Sequence, residues 1–354
     1  MHILNLDANA SLPPTKSAQK ALIESTSWEG NPSSSHSLGR KQRERLDLAR
    51  MRVAKAMGGI DKDIFFTSGA SEGNRWIVDA AKSLGKLKTY TTSLEHPSSA
   101  KPLKAAFEAG ELIKVDSPAE ADLICATAAH NETGLITDWD EIINLANPNS
   151  ILVADICQSF GRLPPLPARV DAMVSSAHKM GGFPGSGAVL LRGNAKRLKP
   201  AWTGGSQEGG LRPGTEALIL IHAFGVAASE IDAMREQNIA LALLRDKLEE
   251  ALLNTWSFAR RVPESGDRLP NTSAITLTGI DGDALRIMID SAGLCVGFGS
   301  ACSALAPEPS LSLISLGLTP QEARCTVRFS LCPDATMEQI EDAIERLTSL
   351  SLSP

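Results

Sequence analysis

Residues 151–179, ILVADICQSFGRLPPLPARVDAMVSSAHK, carry the most informative strand pattern of the chain. They contain two short apolar runs, ILVAD and DAMVSSA, with the length and flanking breakers of buried strands in a parallel sheet. Polar residues lie at or just after the end of both runs. They are Asp155 and Gln158 for the first run, and Ser176, His178 and Lys179 for the second. Because the carboxyl ends of parallel strands meet at one edge of an open α/β sheet, we expect these side chains to line a ligand crevice.

Lys179 and Asp155 together indicate a pyridoxal phosphate (PLP) site. A PLP enzyme needs an amine that forms a Schiff base with the cofactor and an anion that keeps its pyridine nitrogen protonated. Either residue alone is better interpreted as a surface loop charge or, for the aspartate, as a helix N-cap. The pattern Asp-x-x-Gln followed by Ser-x-His-Lys after the next strand is far more specific and favours the cofactor site.

The order of motifs along the chain resembles the cysteine desulfurases of the class V aminotransferase group, and the resemblance covers nearly the whole chain. The matching motifs are GNPSSSHSLGR, FTSGASEGN, EHPSSA, HNETG, ADICQSFG, SSAHK, GGSQEGGLRPGTE, LPNTS, GSACS and VRFSL. The resemblance implies an α/β chain of PLP-dependent transferase fold type I, with a mostly parallel central sheet and a smaller α/β C-terminal domain. We expect a large PLP-binding domain at 16–250 and a small domain, 1–15 plus 251–354, that carries the catalytic cysteine loop.

Composition is that of a soluble globular protein. A length of 354 residues favours two domains, and 43% apolar with 21% charged residues is ordinary for this class. A formal charge of −6 argues against nucleic acid as a partner. Since the sequence contains neither an apolar run long enough for a membrane helix nor a signal-peptide pattern, we expect a cytoplasmic protein without membrane contact.

Six cysteines are interpreted as free thiols, because no C-x-x-C pair suggests a metal site and a large cytoplasmic chain rarely forms disulfides. Only Cys302 lies among small, flexible residues, in GFGSACSALAPEPS. The resembling enzymes with a long cysteine loop carry their nucleophile in Gly-Ser-Ala-Cys, with Glu-Pro-Ser shortly after. The resemblance therefore implies that Cys302 accepts sulfur as a persulfide and delivers it to an acceptor.

Two further motifs predict cofactor contacts. DIFFTSGASEGN reads as a strand that enters a helix, whose free N-terminal amides at Ala70 and Ser71 would bind the cofactor phosphate. A plain Ser-capped helix is the alternative. In EHPSSA, His96 follows a strand, where an imidazole could stack on the pyridine ring and transfer protons. In LICATAAHNETG, Asn131 could bond the cofactor and the substrate carboxylate, or could cap the turn.

The resemblance implies the remaining roles. Gln158 would bond the phenolic oxygen of PLP, Ser176 and His178 would also contact the cofactor, and Thr215 would reach the phosphate of the partner subunit in a homodimer. Arg328 would bind the substrate carboxylate with Asn131 and Asn9, because a planar guanidinium suits a carboxylate. The predicted catalytic residues are Lys179, His96 and Cys302, without a metal.

The function expected from the resemblance is conversion of L-cysteine to L-alanine, with transfer of sulfur to an acceptor protein such as an iron–sulfur scaffold. A selenocysteine lyase, another class V PLP aminotransferase or lyase, and a catalytically silent sulfur-assembly scaffold are the alternatives. Three positions depart from the family pattern. Ala8 stands where the family usually has Asn, Gly209 where it has Arg, and Ser71 where it has Thr.

Overall fold

The computed structural model describes residues 2–199, 202–299 and 309–353. The chain divides into two compact units. The large unit comprises residues 12–128 and 137–232, and the small unit comprises residues 1–11, 129–136 and 233–354. The predicted fold class, an α/β chain with a mostly parallel central sheet, is confirmed.

The large unit is built on a seven-stranded sheet within the described residues. In spatial order its strands are β2 (Ile64–Thr67), β8 (Gly187–Leu191), β7 (Ala172–Ser176), β6 (Ile151–Asp155), β5 (Leu123–Thr127), β3 (Lys88–Thr91) and β4 (Ile113–Lys114). Only β8 runs antiparallel to its neighbours, so β2 points the same way as β7. All residues of β5 to β8 are buried, which explains their continuous apolar runs, since a parallel sheet is covered on both faces.

Helices of the large unit cover this sheet. They are α1 (Lys16–Ser25), α2 (Ser37–Ala56), α3 (Ala70–Ser83), α4 (Pro97–Glu108), α5 (Trp139–Leu145) and α6 (Leu218–Ala228). The side chains of Trp76 on α3 and Leu103 on α4 pack with Leu123 and Val153 of the sheet in one buried apolar cluster. Burial of such side chains stabilises the unit and fixes the edge where the parallel strands end.

The small unit has its own five-stranded sheet and core. The strand order is β1 (Leu4–Leu6), β11 (Leu294–Phe298), β12 (Thr326–Ser330), β10 (Thr272–Leu277) and β9 (Ala259–Arg261). Its helices are α7 (Ile231–Thr255, which begins in the large unit), α8 (Gly282–Ser291), α9 (Leu311–Ser315), α10 (Pro320–Arg324) and α11 (Met337–Thr348). The first strand pairs in parallel with β11, so the N-terminal residues become part of this sheet.

In the described part of the chain, no helix has both the length and the apolar character needed to cross a membrane. The five described cysteines are free thiols, as predicted for them. Cys295 is exposed, whereas Cys125 and Cys325 are buried.

A buried ion pair closes the outer edge of the large sheet at β2. The carboxylate of Glu208 accepts two hydrogen bonds from the Arg50 guanidinium, at 2.7 and 2.8 Å, and a third from the Phe66 N–H at 2.9 Å. Arg50 also donates to the Ile64 carbonyl at 2.8 Å. The pair therefore satisfies the backbone groups that an edge strand would leave open, and it anchors the turn that contains Glu208, whose φ is +48°.

Replacement of Glu208 by Ala should lower the free energy of unfolding by about 3 kcal/mol, because the Arg50 charge would remain largely buried without its partner. Denaturant unfolding monitored by circular dichroism measures this change. The matched control is Glu24→Ala in the Lys20–Glu24 pair, whose side chains are 78% and 61% exposed and which should contribute less than about 1 kcal/mol. Equal effects of the two substitutions would contradict the anchoring role.

Candidate active site

Asp155 ends β6 at the carboxyl edge of the large sheet, and its carboxylate is buried and held in one orientation. Oδ2 accepts a hydrogen bond from Asn74 Nδ2 at 2.8 Å, and Oδ1 accepts one from the Cys157 N–H at 3.0 Å. The side chain is 7% exposed. A carboxylate fixed in this way presents a localised negative charge, which is what a protonated ring nitrogen requires as its counter-ion.

Lys179 and His96 lie within electrostatic reach of this carboxylate. Lys179 ends the single helical turn Ala177–Lys179 that follows β7, and it is half-buried. Burial lowers the pKa of His96; the Asp155 charge raises it and the Lys179 charge lowers it, with a net decrease. Burial and Lys179 also lower the pKa of His178, to about 4. Both imidazoles are therefore neutral at physiological pH.

The ring of His96 is oriented by the helix that it precedes. It is the N-cap of α4, where Nδ1 accepts a hydrogen bond from the Ser98 N–H at 3.1 Å. Since Nδ1 is an acceptor, the neutral tautomer carries its proton on Nε2. The cap fixes the ring plane, which a stacking role requires.

The N-terminus of α3 is open towards the same edge. Gly69 is the N-cap and supplies no side-chain cap, so the first amides of the helix, at Ala70 and Ser71, have no side-chain acceptor there. A Cβ built at Gly69 would lie 3.5 Å from the Ser176 hydroxyl. Amide dipoles and a hydroxyl at one point are well suited to a phosphate group.

Two contacts hold the turn at Gly69 in place. The Ser68 N–H donates to Glu72 Oε2 at 2.7 Å, while Glu72 Oε1 accepts from Arg212 Nε at 2.8 Å. Gly187 permits the close approach of the turn, because a Cβ there would stand 2.7 Å from the Gly69 Cα atom. Glycine is needed at position 187 for this packing.

Gln158 is held by a buried arginine that sequence reasoning missed. Arg162 donates to both the side-chain Oε1 and the backbone carbonyl of Gln158, each at 2.8 Å. Because the side-chain oxygen of Gln158 accepts a bond from Arg162, the amide NH2 group is the donor end of the side chain. A donor is what the phenolic oxygen of PLP requires. A single sequence offers no signal for Arg162 beyond its helical spacing of four residues from Gln158.

Glu95 is another buried group that the sequence did not single out. Its Oε1 accepts from the Thr92 hydroxyl at 2.7 Å and from the Thr127 N–H at 2.8 Å. Burial is the largest cause that raises the pKa of Glu95 to about 8, and the charge of Asp155 adds to it. Glu95 is therefore mostly protonated at neutral pH, and Asp155 remains beside a neutral neighbour. Its only sequence signal is its place before His96 in EHPSSA.

In the small unit, Arg328 extends from β12 and is 6% exposed. Its Nη2 bonds Asp7 Oδ1 at 2.5 Å, and its Nη1 donates to the Asn131 carbonyl at 2.9 Å. The Nε–H is buried and has no hydrogen-bond partner among the described residues. The guanidinium lies against the backbone of Gly297, where a Cβ would stand 2.5 Å from Nε. A buried donor without an acceptor is typical of a site that awaits an anion.

Asn9 holds the backbone of Asn131 in place by hydrogen bonds. It is 1% exposed, and its Nδ2 donates to the Asn131 carbonyl at 3.2 Å and to the Thr272 hydroxyl at 3.0 Å. Its Oδ1 accepts from Asn271 Nδ2 at 3.2 Å. These bonds favour a role in positioning Asn131 over direct contact with a substrate.

The structure thus places the predicted site residues in two groups. In the large unit, the carboxyl edge and the turns that follow it carry the first group, namely Ala70, Ser71, His96, Asp155, Gln158, Ser176, His178 and Lys179. In the small unit, Asn9, Asn131 and Arg328 form a hydrogen-bonded cluster. Thr215 belongs to the large unit and is exposed. Cys302 lies outside the described residues.

The donor set of the large unit fits PLP. It combines a lysine amine, a fixed carboxylate for the pyridine nitrogen, a neutral imidazole for the ring face, an amide donor for the phenolic oxygen and a helix N-terminus for the phosphate. The buried and oriented carboxylate of Asp155 is the observation on which this fit chiefly depends.

The chain is similar to known proteins over nearly its whole length. It is 31% identical to a cysteine desulfurase of Nostoc sp., over 99% of this chain and 95% of the relative. A solved NifS-like protein has a TM-score of 0.88 at 25% identity and covers 98% of both chains. The structure of SspA in complex with cysteine has a TM-score of 0.78 at 28% identity, over 93% of this chain and 99% of that one.

The model of the family described as aminotransferase class-V matches residues 3–118 and 111–342, so it accounts for both units. The resemblance noted from the motifs is confirmed. This chain belongs to the class-V aminotransferase family.

Proposed function

We propose that this protein is a PLP-dependent cysteine desulfurase that converts L-cysteine to L-alanine and transfers the sulfur to an acceptor protein. The observation that carries the proposal is the convergence of Lys179, Asp155 and His96 at the carboxyl edge of the large sheet. The relatives support the substrate, since one is named a cysteine desulfurase and another was solved in complex with cysteine.

In this proposal the large unit holds the cofactor. Lys179 would supply the amine that bonds PLP, Asp155 would pair with its protonated ring nitrogen, and the amides of Ala70 and Ser71 would bind the phosphate with Ser176. When bound, PLP supplies an electron sink that allows the α-proton of cysteine to leave and weakens its Cβ–S bond. Lys179 and neutral His96 are the residues that would take up and return protons there.

Arg328 would bind the carboxylate of cysteine through its buried Nε–H. Hydrogen bonds from Arg328 and Asn9 to the Asn131 carbonyl would keep the guanidinium in a fixed orientation. The Cys302 thiolate would then attack the sulfur of the substrate. A new S–S bond forms, the Cβ–S bond breaks, and its electron pair stays with the carbon that is protonated to give alanine. The sulfur remains on Cys302 as a persulfide.

Cys157 is the nearest described thiol to Asp155, but it is a poor nucleophile. Burial raises the pKa of the Cys157 thiol well above its usual range, and the neighbouring Asp155 charge raises it further. Because the thiolate is the reactive species, Cys157 stays protonated and inert. This contrast supports the choice of Cys302, which rests on its motif.

We also propose that the enzyme is a cytoplasmic homodimer. Leu48 and Met51 lie exposed on α2, at 38% and 54%, and Ile219 lies exposed on α6, which packs against α2. An apolar face of this kind on a folded unit favours coverage by a second copy. Thr215 precedes α6 and is exposed, so it is available to the phosphate of a partner subunit.

Replacement of Lys179 by Ala should abolish covalent attachment of PLP, because the amine that would form the bond is removed. The purified parent should be yellow, and borohydride should fix the cofactor to the peptide that contains Lys179. Absorbance spectra and peptide mass spectrometry measure both properties. Lys101→Ala, at an exposed position of α4, is the control and should behave as the parent. A colourless parent would favour the silent-scaffold alternative.

Replacement of Cys302 by Ala should reduce sulfide and persulfide release from cysteine by at least about a hundredfold, since the nucleophile is lost. The cofactor spectrum and its response to cysteine should persist. Cys295→Ala removes an exposed thiol of β11 and is the matched control. An unchanged rate in Cys302→Ala would refute the assignment, and a keto acid in place of alanine as product would indicate an aminotransferase.

The dimer proposal predicts that Met51→Glu weakens self-association, because the substitution would bury a charge at the interface. Analytical ultracentrifugation should show a dimer for the parent and a larger monomer fraction for the variant. Ile287→Glu, at a 68% exposed position of α8, is the control and should remain dimeric. A monomeric parent would exclude the proposed contribution of Thr215 from a partner.

A further inference from the structure

We propose that the Ser98 hydroxyl is a positioning group for His96, and that Asn74 orients this hydroxyl and joins it to the carboxylate of Asp155. The inference rests on the proposed function in one respect, the proton-transfer role of His96. All four residues lie in the large unit, on three of its elements. Asn74 lies on α3, His96 and Ser98 lie at the start of α4, and Asp155 ends β6.

The orientation of the Asn74 amide follows from the carboxylate that it faces. Asn74 Nδ2 lies 2.8 Å from Asp155 Oδ2, and a carboxylate accepts hydrogen bonds but does not donate them. The same nitrogen lies 2.9 Å from Ser98 Oγ. Since each of the two amide hydrogens serves one of these contacts, Asn74 donates to both groups, and Ser98 Oγ is the acceptor in the second.

The hydroxyl hydrogen of Ser98 is therefore directed elsewhere. Ser98 Oγ lies 2.8 Å from His96 Nδ1, which also accepts the Ser98 N–H at 3.1 Å. Because a backbone N–H can only donate, Nδ1 carries no hydrogen, and the hydroxyl donates to it. The hydrogen bonds thus have one fixed sense: Asn74 donates to Ser98, and Ser98 donates to His96.

This arrangement opposes protonation of the imidazole. A proton on Nδ1 would face both the N–H and the O–H of Ser98, so two hydrogen bonds would have to break. Hydrogen bonds to the neutral form of a group disfavour its charged form, so the Ser98 hydroxyl should keep His96 uncharged. Nε2 then holds the proton that His96 can exchange.

The charged groups near the ring give this hydroxyl a purpose. Burial is the largest cause that lowers the pKa of His96, while the Asp155 charge raises it and the Lys179 charge lowers it. Glu95, the residue before His96, is mostly protonated at neutral pH, since burial raises its pKa to about 8. The Asp155 carboxylate thus attracts a proton to the imidazole, and the Ser98 hydroxyl resists that protonation.

Helix formation alone does not explain an asparagine at position 74. The side chain is 5% exposed in the interior of α3, where asparagine has a lower helix propensity than alanine or leucine. A buried amide also costs free energy of folding unless it is hydrogen-bonded. Its two acceptors are the proposed counter-ion of the cofactor and the hydroxyl that bonds the imidazole, which gives a functional reason for the residue.

Imidazole nitrogen NMR on the purified full-length protein, labelled at histidine, measures the state of His96 without any need for activity. The His96 signals are those that disappear in His96→Asn. In the parent, Nδ1 should give the signal of a nitrogen without hydrogen, and Nε2 that of an N–H. Ser98→Ala should move the Nδ1 signal and raise the pKa of His96, because one of the two donors to Nδ1 is lost. Ser98→Thr keeps the hydroxyl and should restore the parent values.

Ser83→Ala on α3 is the matched control. The Ser83 hydroxyl bonds the Ala80 carbonyl of its own helix, so its removal should leave the His96 signals unchanged. Asn74→Ala should change the pKa of His96 in the parent background but not in the Ser98→Ala background, because Asn74 acts on the ring through the hydroxyl. Circular dichroism checks that each variant is folded.

The PLP-loaded proteins give a second readout, the pH dependence of kcat for cysteine. Since neutral His96 is lost at a higher pH in Ser98→Ala, the acid limb of the profile should move to higher pH by the same amount as the pKa measured by NMR. Each pH unit of that movement lowers kcat on the acid side by about tenfold.

Parent-like NMR signals in Ser98→Ala, absence of rescue by Ser98→Thr, or equal effects of Asn74→Ala in both backgrounds would each overturn the inference. An acid limb that does not follow the pKa of His96 would overturn its consequence for catalysis. If the parent converts no cysteine, the proposed function fails, and the NMR measurement still decides whether Ser98 sets the protonation of His96.

Discussion

The structure of the site depends on one buried negative charge, the carboxylate of Asp155 at the end of β6. A buried charge is tolerated only where hydrogen bonds and nearby opposite charges compensate for its lost hydration. Here the compensation comes from Asn74 on α3, from the backbone N–H of Cys157 and from the nearby Lys179. A helix, a strand end and the turn after β7 are therefore held around a single group. A cationic ring nitrogen would complete its neutralisation.

The same charge determines the protonation of its neighbours. Together with burial it raises the pKa of Glu95 and of Cys157, so both remain neutral and a second anion does not form beside the cofactor site. For His96, burial outweighs the attraction to Asp155, and the imidazole is neutral as well. Among the described residues, the result is a site with the Asp155 anion, the Lys179 amine and two uncharged imidazoles. Asp155 is thus ionised while the neighbouring carboxyl group of Glu95 is protonated. Such a difference between two carboxyl groups is typical of sites that assign them different roles.

Local patterns predicted much of this arrangement. Continuous apolar runs indicated β6 and β7, which the structure contains as fully buried strands. Asn74 could not be assigned in this way, because its partner Asp155 is 81 residues distant and one sequence does not reveal long-range pairs. The role of Arg162 also escaped prediction. It depends on buried contacts, and a charged residue in a sequence is most simply interpreted as solvated. Nothing in the local pattern of residues 129–136 reveals that they belong to the small unit.

The proposed role of Arg328 in substrate binding must be compatible with the contacts that its guanidinium makes. The guanidinium already bonds the carboxylate of Asp7 through Nη2 and the carbonyl of Asn131 through Nη1. Because Nη2 carries two hydrogens, a second carboxylate can still approach the edge formed by Nε and Nη2 without displacing Asp7. If Arg328 binds the substrate as proposed, two anions would share one cation, and Asp7 would weaken the attraction for the substrate carboxylate while it keeps the guanidinium rigid. Rigid orientation with moderate affinity is useful here, since tight binding of the ground state would not accelerate the cleavage of the carbon–sulfur bond.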